Sequence, residues 1–257
     1  MSSRERLDVA LASRGLAESR ERARRLILAG LVRGNGAKIS QAGHRLREDD
    51  EITVDGPDHP YVSRGGVKLA SALDAFGFDP AGRICVDVGA STGGFTDCLL
   101  QRGAALVHAV DVGYGQLAWK LRQDERVVVR ERTNVRKLSA GSLDPVPSLA
   151  VIDASFISLR LVLPPTYALL DPPHDMIALV KPQFEAGRES VGKGGVVRDP
   201  AVRQAAVDAV VGAGAALGLD TVAVADSGLP GAKKGNREVF VHLRSPAEAV
   251  SPGGDRG

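Results

Sequence analysis

Five short apolar runs recur between residues 83 and 180, at 83–88, 104–110, 127–130, 149–152 and 176–180. Each is too short for a helix, and each is rich in the β-branched residues that suit a strand. Segments with helical spacing fit between them, at 94–102, 117–123 and 161–170. Apolar strands alternating with helices predict a parallel sheet covered on both faces, an α/β fold. After Asp199-Pro200 a helix rich in alanine and valine is expected to reach Leu217. Residues 221–225 and 238–243 then read as two more strands, close enough in sequence to pair antiparallel at a sheet edge. No run of 18 apolar residues occurs, which argues against a membrane-spanning helix.

The charge is divided unevenly along the chain. Residues 1–47 hold eleven Lys and Arg against four Asp and Glu, whereas residues 48–257 hold 22 against 27. The basic end is expected to favour a polyanion, because each neutralised phosphate releases a counterion; a solvated helix face is the plainer alternative. A short helix is expected over 6–14, with Leu7, Ala10 and Leu11 inward. A second runs from the N-cap Ser19 to Gly30, with Ala23, Leu26 and Ile27 on one face. Gly34-Asn35-Gly36 signals a hairpin turn, and residues 51–54 another strand. Residues 1–56 therefore form a small α+β domain. Residues 57–62 read as a linker, residues 63–244 as the α/β domain, and residues 245–257 as a disordered tail. The two cysteines, Cys85 and Cys98, and a charged start with no apolar stretch behind it suggest a cytoplasmic, reduced setting.

Residues 87–96 join the first strand to a helix through Gly89, Gly93 and Gly94. Such a turn lets a ligand approach the backbone at a helix N-terminus. Asp111, about 22 residues on, ends the second strand, where a carboxylate suits ribose hydroxyls. A dinucleotide fingerprint would need glycine where Ser91 stands. The spelling Gly89-x-Ser91-x-Gly93 matches a hydrolase nucleophile elbow, with His174 and His242 as the available bases. Residues 187–194 nearly match a phosphate-binding loop, but Gly194 stands where Ser or Thr is needed, so they are read as a mobile loop. S-adenosylmethionine fits best. Its candidate contacts are Asp87, Gly89, Ala90, Ser91, Thr92, Gly93, Gly94, Phe95, Asp111, Val112, Asn134 and Asp153. By analogy, the antiparallel last strand also suits a Rossmann-like methyltransferase sheet.

Polar residues at strand ends are costly unless paired or exposed in a cleft. Asp153 follows the fourth strand, Lys181 the fifth, Lys68 precedes the first, and Glu238 begins the last. They read either as simple ion pairs or as one converging centre.

The motifs taken together resemble two known families. The order Arg6-Leu7-Asp8, Gly15-Leu16, Ser19-Arg20, Ala23, Ile27, Gly30 and Val32 is similar to the RNA-binding module named after ribosomal small-subunit protein four. Residues 61–243 resemble the FtsJ-like ribose 2′-O-methyltransferases. The carrying motifs begin at Ser63, Asp87, Asp111, Asp153 and Leu179, and residues 231–238 complete them. The combination resembles the TlyA, haemolysin-type family. The resemblance implies a Lys68, Asp153, Lys181 and Glu238 catalytic tetrad, and ribosomal RNA or its subunits as partner with a cytidine 2′-hydroxyl as acceptor. It also implies RNA contacts at Arg4, Arg6, Arg14, Arg20, Arg24, Arg25, Lys38 and Arg64. Lys181, with Lys68 as the neighbour expected to tune it, would accept the hydroxyl proton or steer the hydroxyl's lone pair. No metal, no membrane and a monomer are expected. The rivals are a haemolysin and an RNA-binding protein without transfer activity.

Overall fold

The computed structural model describes residues 5–17, 19–47, 49–55, 59–192, 194–229 and 236–246. The chain divides into two units, Met1–Pro60 and Tyr61–Gly257. In the first, β1 (Glu5–Arg6) leads into α1 (Leu7–Ser13), and α2 (Arg20–Leu28) follows. The expected spacing holds, for Leu7, Ala10, Leu11, Ala23 and Ile27 are buried together. The Ser19 side chain accepts a hydrogen bond from Arg22 N at 3.1 Å and starts α2. Gly30, at φ +70°, stops it. There Gly30 N donates to Ile27 O and Leu31 N to Leu26 O, the paired bonds of a Schellman end.

The strands β2 (Val32–Gly34), β3 (Ala37–Lys38), β4 (Arg45–Leu46) and β5 (Ile52–Val54) complete this unit. One sheet has the order β3-β2-β5, and β1 pairs with β4. Asn35 and Gly36 both take positive φ between β2 and β3, as a two-residue hairpin turn requires. Val32, Leu46 and Ile52 close the core. So small a core buries little apolar surface, and polar contacts matter more to it than they do to a large domain.

The second unit opens with α3 (Arg64–Phe76), β6 (Ile84–Val88), α4 (Gly94–Gln101), β7 (Leu106–Val110), α5 (Trp119–Arg122) and β8 (Val127–Arg130). It continues with β9 (Leu149–Ile152), α6 (Leu163–Tyr167), β10 (Asp175–Val180), α7 (Pro182–Glu185), α8 (Pro200–Ala215), β11 (Asp220–Asp226) and β12 (Val239–Arg244). The sheet order is β11-β12-β10-β9-β6-β7-β8. The five strands from β6 to β10 run parallel, and β12 lies antiparallel between β10 and β11. Strand alternation sends Val86, Ile152, Val180 and Val241 to the face that α8 covers. It sends Cys85, Val107, Val151 and Phe240 to the face under α3 and α4.

Several expected boundaries move. The helix placed at 161–170 shrinks to α6, because Pro164 and Pro165 fit only a first helical turn. The one at 117–123 shrinks to α5. Glu238 precedes β12 rather than beginning it. Tyr61 and Val62, read as linker, pack against the second unit's core, and Val62 N donates to Asp97 Oδ2 at 2.7 Å. Ser245, read as tail, is buried and exchanges two hydrogen bonds with His174. The remaining tail, 247–257, and residues 56–58 at the start of the linker lie outside the described residues. In the stretch read as a mobile loop, residues 188–190 form a 3-10 turn and Gly192 bridges to Val196; Lys193 lies outside the described residues. Among the described residues no helix is long and apolar enough to cross a membrane.

Candidate functional site

The chain passes from β6 outward to β7 and β8, then returns to lay β9 and β10 on the other side. The carboxyl ends of β6 and β9 therefore flank the crevice where strand order reverses, the usual ligand position in such sheets. Gly89 follows β6 and Asp153 follows β9. Gly89 has φ +87°, and a Cβ built there would lie 2.8 Å from the Asp153 carbonyl oxygen. Only glycine lets the two strand ends approach so closely.

A cavity of about 460 Å³ opens at this point, lined by Gly89, Ser91, Asp111, Val112, Asn134 and Asp153 among others. Its floor is stiffened by the Asp111 carboxylate, which accepts from Ser91 N at 2.8 Å and from Gly113 N at 2.6 Å. Each oxygen retains a lone pair for a ribose hydroxyl. Asn134 caps a 3-10 turn through Arg136 N at 3.0 Å and faces the same space. A second cavity of about 330 Å³ shares Gly89, Ser91 and Asp153 as walls and adds Arg64, Lys68, Ala90, Thr92, Gly94 and Phe95. Phe95 also belongs to the core, beside the Phe240 ring. Gly93, at φ +92°, lines neither cavity and caps the start of α4.

Asp87 lies beneath this turn. One of its oxygens accepts from Thr96 N at 2.9 Å and Thr96 Oγ1 at 2.6 Å. The other, Oδ1, is buried with no partner among the described residues. Burial pushes its pKa up to about 7, against the Thr96 hydrogen bond. Glycine turn, orphaned acceptor and carboxylate-lined cavity together fit a nucleoside bearing a cationic tail.

The four strand-end residues do converge, as two ion pairs. Lys68 Nζ lies 2.5 Å from Glu238 Oε2, and Lys181 Nζ 2.6 Å from Asp153 Oδ1. Three of the four are nearly inaccessible, and Asp153 faces the cavities. Burial raises the Asp153 pKa, although Lys181 and Lys68 oppose the shift. The ion-pair reading and the converging-centre reading thus describe one arrangement. Lys68, expected as the neighbour that tunes Lys181, is itself bound to Glu238. Residues 231–235, just before this centre, lie outside the described residues.

Three contributors escaped sequence reasoning. Ser155 Oγ accepts from Lys181 Nζ at 2.8 Å. Gln116 Oε1 accepts from Ser91 Oγ at 3.2 Å. Phe156 stands 91% exposed at φ +65°, an unusual conformation for a bulky residue, on the rim of the larger cavity. Ser155 and Phe156 lie two and three residues after a strand-end acid, a position that could have marked them.

Nucleophile-elbow chemistry is excluded by geometry. His242 Nε2 meets Asp175 Oδ1 at 2.7 Å where β10 begins, and His174 directly precedes β10, so both available bases lie at the opposite end of the sheet from Ser91.

In the first unit, Arg6, Arg20 and Arg24 all point at Asp8, at 3.0, 2.9 and 3.0 Å. Asp8 is fully covered, while the three arginine side chains stay 39–52% exposed. The Arg6 hydrogen bond, reinforced by Arg20 and Arg24, holds the Asp8 carboxyl far below its usual range. Arg14 donates to Asp50 O at 3.4 Å, and Arg25 and Lys38 are exposed. Arg4 lies outside the described residues. Arg64 belongs to the second unit, at the start of α3 and on the smaller cavity.

Residues 61–245 match the FtsJ-like methyltransferases, and residues 5–52 match the S4 domain. A Bacillus subtilis protein named as an rRNA methyltransferase, YqxC, is 52% identical over 96% of this chain and 88% of its own length. The 16S/23S rRNA (cytidine-2′-O)-methyltransferase TlyA of Mycobacterium tuberculosis is 48% identical over 96% of this chain and 92% of its own. A solved structure of a hemolysin-named protein from Streptococcus thermophilus aligns with TM-score 0.74 at 42% identity, covering 97% of this chain and 92% of that one.

Proposed function

The chain belongs to the FtsJ-like methyltransferase family, and on that premise we propose that it methylates the 2′-hydroxyl of a cytidine ribose in ribosomal RNA, with S-adenosylmethionine as donor. The observation that carries this reading is the pair of ion pairs beside the two cavities: Asp153, held by Lys181, is a wall of both, and Lys68, held by Glu238, lines the smaller. When bound, S-adenosylmethionine supplies a methyl group activated on a sulfonium. Asp111 and Asn134 would hold its ribose and base in the larger cavity, and the Gly89–Ser91 turn its tail.

The smaller cavity then receives the target nucleotide, beside Lys68 and Arg64. A ribose hydroxyl is a weak nucleophile at neutral pH, so the protein must orient it and remove its proton. Lys181, paired with the shared wall residue Asp153, would donate to the hydroxyl oxygen and orient its lone pair, or take the hydroxyl proton after passing its own to Asp153. Asp153 would fix that lysine, while Lys68, paired with Glu238, lines the smaller cavity. Alignment of this kind supplies a large part of such a barrier reduction. Phe156 offers an exposed aromatic face at the rim, suited to a base drawn out of its stack. The arginines on Asp8 would hold the RNA backbone through the first unit.

The test is transfer of labelled methyl from S-adenosylmethionine to purified ribosomal subunits and to naked rRNA, wild type beside Lys181→Ala. Label at a cytidine 2′-oxygen, lost in the variant, is expected. Label that survives Lys181→Ala overturns the role of Lys181, and no label on any substrate overturns the function. The haemolysin alternative rests on relatives' names, and an erythrocyte release assay with the wild type settles it.

A further inference from the structure

We propose that Ser155 is a positioning residue of the methyl-transfer centre, holding the Lys181 Nζ at the point where the target hydroxyl enters; the inference rests on the methyl-transfer reading above. A lysine side chain carries more rotamer entropy than most. A single contact leaves its nitrogen free to swing. Here Nζ makes three contacts: Asp153 Oδ1 at 2.6 Å, Ser155 Oγ at 2.8 Å and, at the long limit, the Asp153 carbonyl oxygen at 3.4 Å. The first and third come from one residue. Ser155 is the second residue, and a nitrogen tied to two residues has a defined position.

The loop that carries Ser155 is itself fastened at both ends. Asp153 N donates to Val88 O at 2.9 Å, which docks the start of the loop on the sheet. At the far end Ser158 Oγ donates to Glu185 Oε2 at 2.6 Å, and Leu159 N donates to Glu185 Oε1 at 2.7 Å. Glu185 is almost wholly covered and lies four residues after Lys181. The segment after β9 is thus bound twice to the segment after β10, once through Lys181–Ser155 and once through Ser158–Glu185. Between the two ties Phe156 takes its left-handed φ, a conformation that persists only where the surroundings impose it.

The same hydroxyl faces the chemistry. Ser155 lines the larger cavity beside Asp153. Its oxygen accepts from Lys181, which leaves its own proton for a group in that space. Serine at this position therefore holds the lysine without adding a charge to the two carboxylates and two lysines already paired there.

The experiment is steady-state methyl transfer by the full-length protein with Ser155→Ala, Ser155→Thr, Lys181→Ala and the double variant Ser155→Ala/Lys181→Ala. Ser155→Ala is expected to lower kcat roughly 10- to 30-fold and leave KM for S-adenosylmethionine within about twofold. Ser155→Thr, which keeps the hydroxyl, should recover most of the rate. The double variant should be no slower than Lys181→Ala, because a residue acting through Lys181 has nothing left to position. A Ser155→Ala kcat within about twofold of wild type overturns the proposal, as does an equal further loss in the Lys181→Ala background.

A wild type that methylates no RNA overturns the function instead. The inference is then decided without RNA, from proton exchange of the Lys181 side-chain nitrogen in lysine-labelled protein, assigned with Lys181→Arg. Exchange that quickens several-fold in Ser155→Ala supports the tie, and unchanged exchange overturns it.

Discussion

Two clusters of opposite charges organise this chain, and they are built to different ratios. In the first unit one covered carboxylate, Asp8, gathers three arginines that remain half exposed. In the second, two lysines and two carboxylates pair one to one, with only Asp153 appreciably open. The surplus of cations leaves guanidinium edges facing water, where a polyanion can replace solvent. The balanced set leaves no net charge to seek a partner, and its low exposure strengthens each interaction inside. On the proposed function, the same attraction would serve capture in one region and alignment in the other. The exposed Arg33–Asp55 pair serves neither, since pairs of that kind contribute ~0–1 kcal/mol.

Breaking the balanced cluster should have the largest effect. Lys181→Ala is expected to lower methyl transfer about 10²- to 10⁴-fold, the range for losing a positioned acid–base group. RNA affinity should stay within about twofold, as read by direct binding beside the rate assay. A comparable loss of affinity would mean that the two clusters do not divide the work.

Next in size is the surplus cluster. Arg20→Ala with Arg24→Ala should weaken RNA binding roughly tenfold or more and reduce the slope of log affinity against log salt by about 2. At saturating RNA the turnover should be unchanged. An unaltered salt slope would show that these guanidiniums do not meet phosphate.

Asp8→Asn sharpens the contrast, because it raises the net positive charge while removing the anchor. If Asp8 is an organiser, RNA affinity falls roughly threefold despite the added charge; if it only neutralises, affinity rises. Stability should fall too, by about 2 kcal/mol, since hydrogen bonds to a charged group are lost. Because the folded pKa of Asp8 is lowered, its contribution is fully present above the unfolded value near 4 and is lost progressively as pH falls from there through the lowered folded value. Melting of wild type and variant should therefore converge in acid.

The smallest expected effect concerns Asp87, whose pKa is raised to about 7 by burial. Its contribution to stability is fully present below the unfolded value near 4 and is lost as pH rises through about 7. Asp87→Asn should therefore gain melting temperature relative to wild type between pH 5 and pH 8, while binding of S-adenosylmethionine weakens. A melting difference that does not change with pH would remove Asp87 from the titrating groups.

Much of this molecule is legible in its residues, for local reasons. Apolar runs of strand length alternate with helical spacing, and that periodicity alone specifies an α/β sheet. Ser19, Gly30 and Asn35-Gly36 announce a cap, a stop and a hairpin, because each conformation suits few residue types. The acid and lysine after β9 and β10 stand out as costly polar residues behind apolar strands. Helix ends near Pro164 are not legible in the sequence, since proline fits the first turn of a helix yet breaks its interior.

What the tertiary structure alone decided is who meets whom. Nothing in sequence spacing pairs Lys68 with Glu238 rather than with Asp153, for they are 170 residues apart. Nor does a basic run disclose that Arg6, Arg20 and Arg24 share one covered aspartate. Ser155, Gln116 and Glu185 look like ordinary polar residues until strand order brings their loops together. Periodicity is written in neighbouring residues, so a sequence determines elements. Partners are chosen by the packing of distant segments, so only the folded chain determines the site.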